Sequence, residues 1–522
     1  MMIPAAQCVQ PQSRHLTFAQ SRIEKESELS RNRAHRTHSM IRVLANHTTA
    51  CDGINRREML RVGGLSLFGL SLADLLRAEG SSAGTGTGKA KSVILLYLFG
   101  GPPAHETFDP KPDAPQEIRG EFGSIPTSVP GVHFCEHLPQ MAKWMNRSTL
   151  IRSGTHDQND HSAGMLYTLT GKRADKLESL VPVLSSQSPG MGAVVNYLAR
   201  NERRAAPASF WLPCYTGWGQ KILRPGIYGG FLGRQHDPFI SGCEITSTYK
   251  PKDFYDTRET VKGRLTVPGT ELPPEITLER FDQRRNLLQQ LGDRTRAFEK
   301  NPAVEQLDEH HRRAFELLTR SSGKESPWRA FDLHDEPAAR RDRYGRHLYG
   351  ESALTARRLV ERGVRFVTVT WESFDKADAD PTAWDTHNRH FPILKDYRLP
   401  ELDQVYSALC EDLQERGLLK ETLVVVMGEM GRTPVVNRSG GRDHWSYLHN
   451  ILLTGAGVKQ GYVHGASDAK GERPTSDPVG PEDFIATLYA AMGIDPDSFL
   501  HDQEGRLRPI IEGGRVVQKI LA

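Results

Sequence analysis

The chain has little of what marks a stapled, nucleic-acid-binding or membrane-spanning protein. Its six cysteines (Cys8, Cys51, Cys135, Cys214, Cys243 and Cys410) form no CxxC and no CxxH cluster. That spacing excludes a zinc ribbon and a disulfide scaffold. Charge of one sign is not in excess: 67 Lys+Arg against 64 Asp+Glu leave a formal net charge of +3. Bulk electrostatics gives no hold on a polyanion, so no nucleic-acid partner is expected. No apolar run approaches the ~18 residues a membrane span needs. The nearest, Val62 to Leu76, is broken by Gly63, Gly64, Gly69 and Asp74, so no stable transmembrane anchor is expected. No internal repeat is visible. What remains is a globular composition, 38% hydrophobic and 25% charged over 522 residues. At roughly 150 residues per domain, this length admits about three domains or one large α/β domain with insertions. Such a core folds without needing disulfides or metal.

Residues 1–50 are polar and basic without periodicity. They read as a disordered or untranslated extension, with Met40 as an alternative start. Asn55-Arg56-Arg57-Glu58 then precedes the short apolar run. Paired arginines ahead of such a run resemble a twin-arginine signal; the alternative is an amphipathic helix that happens to contain Arg-Arg. Residues 51–91 are read as signal and linker. The resemblance implies the twin-arginine export machinery as a partner and a periplasmic or extracellular location. Cys135, Cys214, Cys243 and Cys410 would then meet an oxidising space, with a pairing the spacing does not reveal.

From residue 92 the pattern is α/β. Ser92–Phe99 is a continuous apolar run of the kind buried on both faces of a parallel sheet. Thr149–Arg152, Gly363–Thr370, Thr422–Met427 and Tyr447–Leu453 are further strand candidates, with helices expected over about 353–362 and 399–416. Helix–strand alternation predicts a doubly wound sheet, with chemistry in the loops after the strands. Between about 251 and 339 the chain turns charged and helical without a strand signal, which reads as an α-helical insertion. Residues 516–522 read as a C-terminal tail.

Polar clusters follow the strand ends. They contain His105 and Asp109; Arg152, His156 and His161; Asp385 and His387; Glu429 and Arg432; and His444. Carboxylates and imidazoles at one sheet edge supply ligands for a divalent ion, and mixed oxygen and nitrogen donors suit zinc, manganese or iron. Asp385-x-His387 can present both side chains to one ion. Arg432 can hold an anion or pair with Glu429. Asp160 can cap a helix starting near Ser162. Trp211, Tyr215 and Trp218 can stack on a sugar or pack locally.

Several ordered motifs carry a family resemblance. They are Gly100–Pro112 (GGPPAHETFDPKP), Gly123–Pro139 (GSIPTSVPGVHFCEHLP), Trp384–His387 (WDTH), Thr422–Pro434 (TLVVVMGEMGRTP), Gly441–Trp445 (GRDHW) and Gly457–Gly465 (GVKQGYVHG). Across residues 92–515 the chain resembles an exported bacterial family of unknown function (domain of unknown function 1501), similar to the alkaline phosphatase/sulfatase superfamily. The resemblance implies a three-layer α/β/α sandwich with a metal centre at one sheet edge. It implies hydrolysis or transfer of phosphate or sulfate esters. His161–Gly171 looks like the sulfatase helix that opens on the nucleophile, which places His161 at the nucleophile position. No Cys-x-Pro-x-Arg occurs, so the formylglycine mechanism is not supported. Phe99-Gly100-Gly101 stands where Asp-Asp is usual, and Glu429-Met430 where Asp-His is usual. One metal site therefore looks intact, at Asp385, His387 and His444, with Glu429 as a ligand or general base. A second is degraded unless His105, Asp109 or His161 rebuilds it. Arg152 and Arg432 are the candidates for neutralising the anionic substrate, and Ser162 and Thr107 are alternative nucleophiles.

Two functions fit these residues. One is an exported metal-dependent hydrolase of phosphate or sulfate esters, a glycan ester among its substrates. The other is a non-catalytic exported protein that binds an anionic glycan or a protein partner.

Overall fold

A computed structural model of the chain describes residues 89–174, 181–202, 204, 206–218, 221–246, 260–268, 283, 326–372 and 384–522. The extension, the twin-arginine stretch and, apart from Gln283, the charged helical stretches over 276–320 lie outside the described residues.

Eight strands build one sheet. They are β1 (Ser92–Tyr97), β2 (Ser148–Gly154), β3 (Ser209–Leu212), β4 (Phe239–Ile240), β5 (Phe366–Thr370), β6 (Thr422–Met427), β7 (His449–Gly455) and β8 (Tyr462–His464). Their spatial order is β8-β2-β7-β6-β1-β5-β3-β4. Neighbours pair in parallel except β7, which runs against both β6 and β2. On β1, Ile94 lies opposite Val424 of β6 and Val367 of β5.

Side chains alternate across the sheet, so each strand serves two cores. Ile94, Leu96, Val367, Val424 and Val426 join one core. Over it lie α3 (Leu348–Glu361) and α4 (Leu399–Glu415). Val93, Leu95, Tyr97, Val425 and Met427 join the other. Over that lie α1 (His161–Thr170), α2 (Met191–Leu198) and α5 (Pro481–Ala491). The result is a three-layer α/β/α sandwich, as the sequence led one to expect.

The differences are local. The strand read at Tyr447–Leu453 starts two residues later and is antiparallel. The short β3, β4 and β8 have no counterpart in the sequence reading, because too few residues carry their alternation. Gly263–Thr266, inside the segment read as wholly helical, pairs antiparallel with Gly242–Ile245. The C-terminal residues pack onto the domain, with Ile520 fully buried. Trp211 is buried on β3 against Tyr97, at 6.2 Å between ring centroids, so it presents no face to a sugar.

Because β6, β1 and β5 are adjacent and parallel, their C-terminal ends open onto one crevice. The loops leaving them carry Glu429, Gly100 and Asp385.

Candidate metal centre

Close backbone approach assembles the crevice floor. Gly100 has φ +111°, and a Cβ there would meet the Asp385 backbone nitrogen at 2.4 Å. Only glycine lets the β1 and β5 loops come this close. The Gly100 amide donates to Glu429 Oε1 at 2.8 Å. Glu429 also faces His161, with Nδ1 to Oε1 at 2.6 Å. His161 is the first residue of α1, and Asp160 caps that helix by accepting from the Ser162 amide at 3.0 Å. His444 is brought in by a two-residue ribbon in which it lies opposite Arg432.

Asp385 is the hub. Its Oδ1 lies 2.9 Å from His387 Nε2 and 3.3 Å from His444 Nε2. Those two imidazole nitrogens are 3.1 Å from each other. Its Oδ2 lies 3.1 Å from His161 Nε2 without hydrogen-bond geometry. Among the described residues, His161, Asp385 and His444 form a group whose ligand atoms all lie within 4.8 Å of one another. Asp385 Oδ2, His161 Nε2 and Glu429 Oε2 are buried and make no hydrogen bond. Buried polar atoms without a hydrogen bond are costly. Of these, Asp385 Oδ2 and His161 Nε2 face each other in the group that His444 completes, a donor set of mixed nitrogen and oxygen that fits a divalent cation. His387 is one-third exposed and is oriented from outside by Asp443 Oδ1, 2.7 Å from its Nδ1.

The fields follow from this geometry. Burial works to neutralise Asp385, but Arg432 and His161 outweigh it and hold the carboxyl well below its usual range. Burial likewise opposes the charged form of His161, yet Asp385 and Glu429 raise it to about 9. The hydrogen bond to Asp385 raises His387. Burial lowers His444. Behind the hub, burial lowers His156 to about 4 while its Nε2 sits 2.8 Å from the Glu429 carbonyl.

Not every residue singled out in the sequence reaches this group. Arg432 is fully buried and pairs with Asp385 rather than Glu429. It also donates to the carbonyls of Gly100, Gly101 and Arg442. Its donors are committed to holding the loops, so it has no fork to offer a substrate anion. Arg152 faces Asp109 at 3.5 Å, and Asp109 also pairs with Lys111 at 3.0 Å. His105 bonds the Lys470 carbonyl at 2.8 Å. Among the described residues, no hydrogen bond or ion pair joins Arg152, Asp109 or His105 to the hub. Thr107 Oγ donates to the Pro103 carbonyl at 2.6 Å. Ser162 Oγ accepts from Arg224 at 2.9 Å.

Three contributors carry no sign of their role in the sequence. Gly100 opens the motif Gly100–Pro112 and stands where Asp-Asp is usual, and Asp443 lies within Gly441–Trp445. Glu106, fully buried, links Arg442 at 2.5 Å to His390 at 3.1 Å, and His390 holds Thr386 at 2.6 Å beside the hub. A glutamate one residue from His105 gave no spacing signal; only the fold brings Arg442 and His390 to it.

Solved structures similar to this chain include a sulfatase from Pseudoalteromonas sp., 12% identical, TM-score 0.35, covering 85% of this chain and 72% of that one. A phosphonate monoester hydrolase from Silicibacter pomeroyi is 14% identical, TM-score 0.30, with 83% and 76% covered. A protein in the alkaline phosphatase superfamily from Vibrio parahaemolyticus is 11% identical, TM-score 0.32, with 81% and 76% covered. No match was found among curated proteins. A family profile described as "Protein of unknown function (DUF1501)" matches residues 90–521, which span every strand of the sheet and every residue of the Asp385 hub. On that match, the chain belongs to the DUF1501 family.

Proposed function

We propose that this protein is a metal-dependent hydrolase of phosphate or sulfate esters. The observation that carries the reading is the convergence of His161, Asp385 and His444 on one point, with Asp385 Oδ2 and His161 Nε2 left without hydrogen bonds. These three residues would hold the ion, with His387 beside them. When bound, the ion supplies Lewis-acid polarisation of a phosphoryl or sulfuryl oxygen. Glu429 fixes the His161 ring through Nδ1, the arrangement by which a carboxylate orients a liganding imidazole. On this reading His161 binds the ion and is not the nucleophile. Asp443 does the same for His387 from the solvent side. Arg432 keeps Asp385 ionised and ties its loop to Gly100.

We propose further that the Arg56-Arg57 segment exports the protein to the periplasm or beyond. Arg56→Lys/Arg57→Lys is expected to retain it in the cytoplasm in a fractionation assay.

A non-catalytic binder of anionic glycans is the second reading. It is supported by the commitment of Thr107 Oγ to a backbone carbonyl and by Gly100-Gly101 standing where a second site would need carboxylates. Elemental analysis of protein purified without chelator, with turnover of aryl phosphate and aryl sulfate esters, separates the two. About one zinc, manganese or iron per chain with turnover is expected. Metal-free protein after incubation with excess ions would overturn the hydrolase reading.

A further inference from the structure

Two thiols meet at the far edge of the sheet. β3 and β4 pair in parallel, with Phe210 opposite Phe239 and Trp211 opposite Ile240. The two chains stay side by side beyond the strand ends. The Ser241 amide donates to the Trp211 carbonyl at 3.0 Å, and Ser241 Oγ donates to the Pro213 carbonyl at 2.7 Å. Pro213 is the neighbour of Cys214 and Ser241 is two residues from Cys243, so these bonds bring the two cysteines alongside each other, near enough for each thiol to shift the other's pKa. Neighbouring strands stand about 5 Å apart, inside the Cα separation a disulfide spans. The other two described cysteines lie elsewhere, Cys135 buried on the short strand His133–Cys135 and Cys410 buried on α4.

We propose that Cys214 and Cys243 form an intramolecular disulfide on exposure to a disulfide-bearing oxidant. Cys243 is the entry point, because it is partly exposed while Cys214 is buried. Contact with Cys214 lowers the Cys243 pKa, whereas burial raises that of Cys214. The thiolate is the attacking species. Cys243 Sγ attacks the oxidant's disulfide, forming a mixed disulfide and releasing one thiol. Cys214 then gives up its proton, attacks Cys243 Sγ and releases the second thiol. Two protein thiols are oxidised and one external disulfide is reduced.

The bond closes the segment between residues 214 and 243. That segment is fixed to the end of β5, where the Gly217 amide donates to Glu372 Oε2 at 2.9 Å. It also carries Arg224, whose Nη1 donates to Ser162 Oγ beside His161. The disulfide therefore fastens the segment that places Arg224 against Ser162, next to His161, whatever the chemistry performed there.

The full chain is treated with oxidised glutathione or with dithiothreitol, alkylated, digested and mapped by mass spectrometry. A Cys214–Cys243 linked peptide is expected after oxidation only. The Tm of the oxidised wild type should rise by about 5 °C over the reduced form, with no such rise in Cys243→Ser. Three outcomes overturn the proposal: both thiols still alkylatable after oxidation, either one joined to another cysteine or trapped with glutathione, or an equal rise in Cys243→Ser.

Discussion

Behind the sheet, Arg357 is fully buried and meets Glu336 at 2.6 Å, Glu361 at 2.7 Å and Asp412 at 2.9 Å. At the strand ends, Asp385 is equally buried and meets three imidazoles and one guanidinium. Both clusters bury charge, but the balance of donors and acceptors differs. Around Arg357 each carboxylate faces permanently protonated guanidinium; Glu336 also takes Arg358 at 2.7 Å and Arg340 at 3.2 Å. There fixed guanidinium cations already stand against the carboxylates, so the negative charge is balanced by the side chains themselves. Around Asp385, among the described residues, the partners are three imidazoles and Arg432, which is spent on backbone carbonyls and on Asp385 itself. The first arrangement locks helices together. The second leaves buried ligand-type atoms, Asp385 Oδ2 and His161 Nε2, without a hydrogen bond, which is where the proposed ion would sit.

Substitutions at the hub should break this contrast most sharply. Asp385→Ala or His444→Ala is expected to abolish metal in elemental analysis and to lower kcat/KM by ~10³-fold or more, about 4 kcal/mol of transition-state stabilisation. Turnover kept by a metal-free variant would remove the hub from the chemistry. Arg357→Ala should do the opposite. It leaves Asp412 and Glu336 buried with less compensation and should cost about 3–5 kcal/mol in denaturant unfolding. Metal content of the folded fraction should stay at the wild-type level.

Acid sharpens the comparison from the hub's side. Burial lowers His156 to about 4 and His449 to about 3. Burial favours neutral Glu106, yet Arg442 and His390 hold it at about 2. All three folded values lie below the unfolded ones. Their stabilisation is complete above about pH 6.5. The histidine share is lost as pH falls from 6.5 towards 3–4, and the Glu106 share as it falls from 4.5 towards 2. The urea midpoint should therefore drop between pH 6.5 and 4, and His156→Gln should reduce that drop. An identical pH profile in the variant would show that His156 carries none of it.

Asp443→Ala is expected to act more gently, because Asp443 meets the hub at the outer nitrogen of His387, its Oδ1 also accepting from Asn437 Nδ2 at 3.1 Å. Metal affinity should weaken ~10–100-fold, read by competition with a chelator, with Tm nearly unchanged. The smallest effect is expected at Arg152→Ala. Its partner Asp109 keeps Lys111, so metal content should not change and stability should shift by less than about 0.5 kcal/mol. A large loss of substrate affinity there would show that the Asp109 patch belongs to the site.

Much of the frame was legible because local patterns carried it. Unbroken apolar runs gave β1 and β6, and helix–strand alternation gave the layered sandwich. Asp385, His387, Glu429 and His444 were legible because strand ends are where polar residues gather. The roles of the arginines were not. Arg432 was open between an anion and Glu429, and it bonds Asp385 and three carbonyls, partners far away in sequence. His161 was placed by position in a motif, while its contacts to Glu429 and Asp385 come from helices and loops that meet only in the folded chain.

Local patterns along the chain set the periodicities, hence the sandwich, and the kinds of donor available at its edge. Both are properties of neighbouring residues, which the chain carries before it folds. Tertiary structure alone decided which donors share a point, which arginines are spent on backbone carbonyls and which cysteines touch. Those are distances between residues tens to hundreds of positions apart, set by strand order, by the reversed direction of β7 and by the close backbone approach that Gly100 allows.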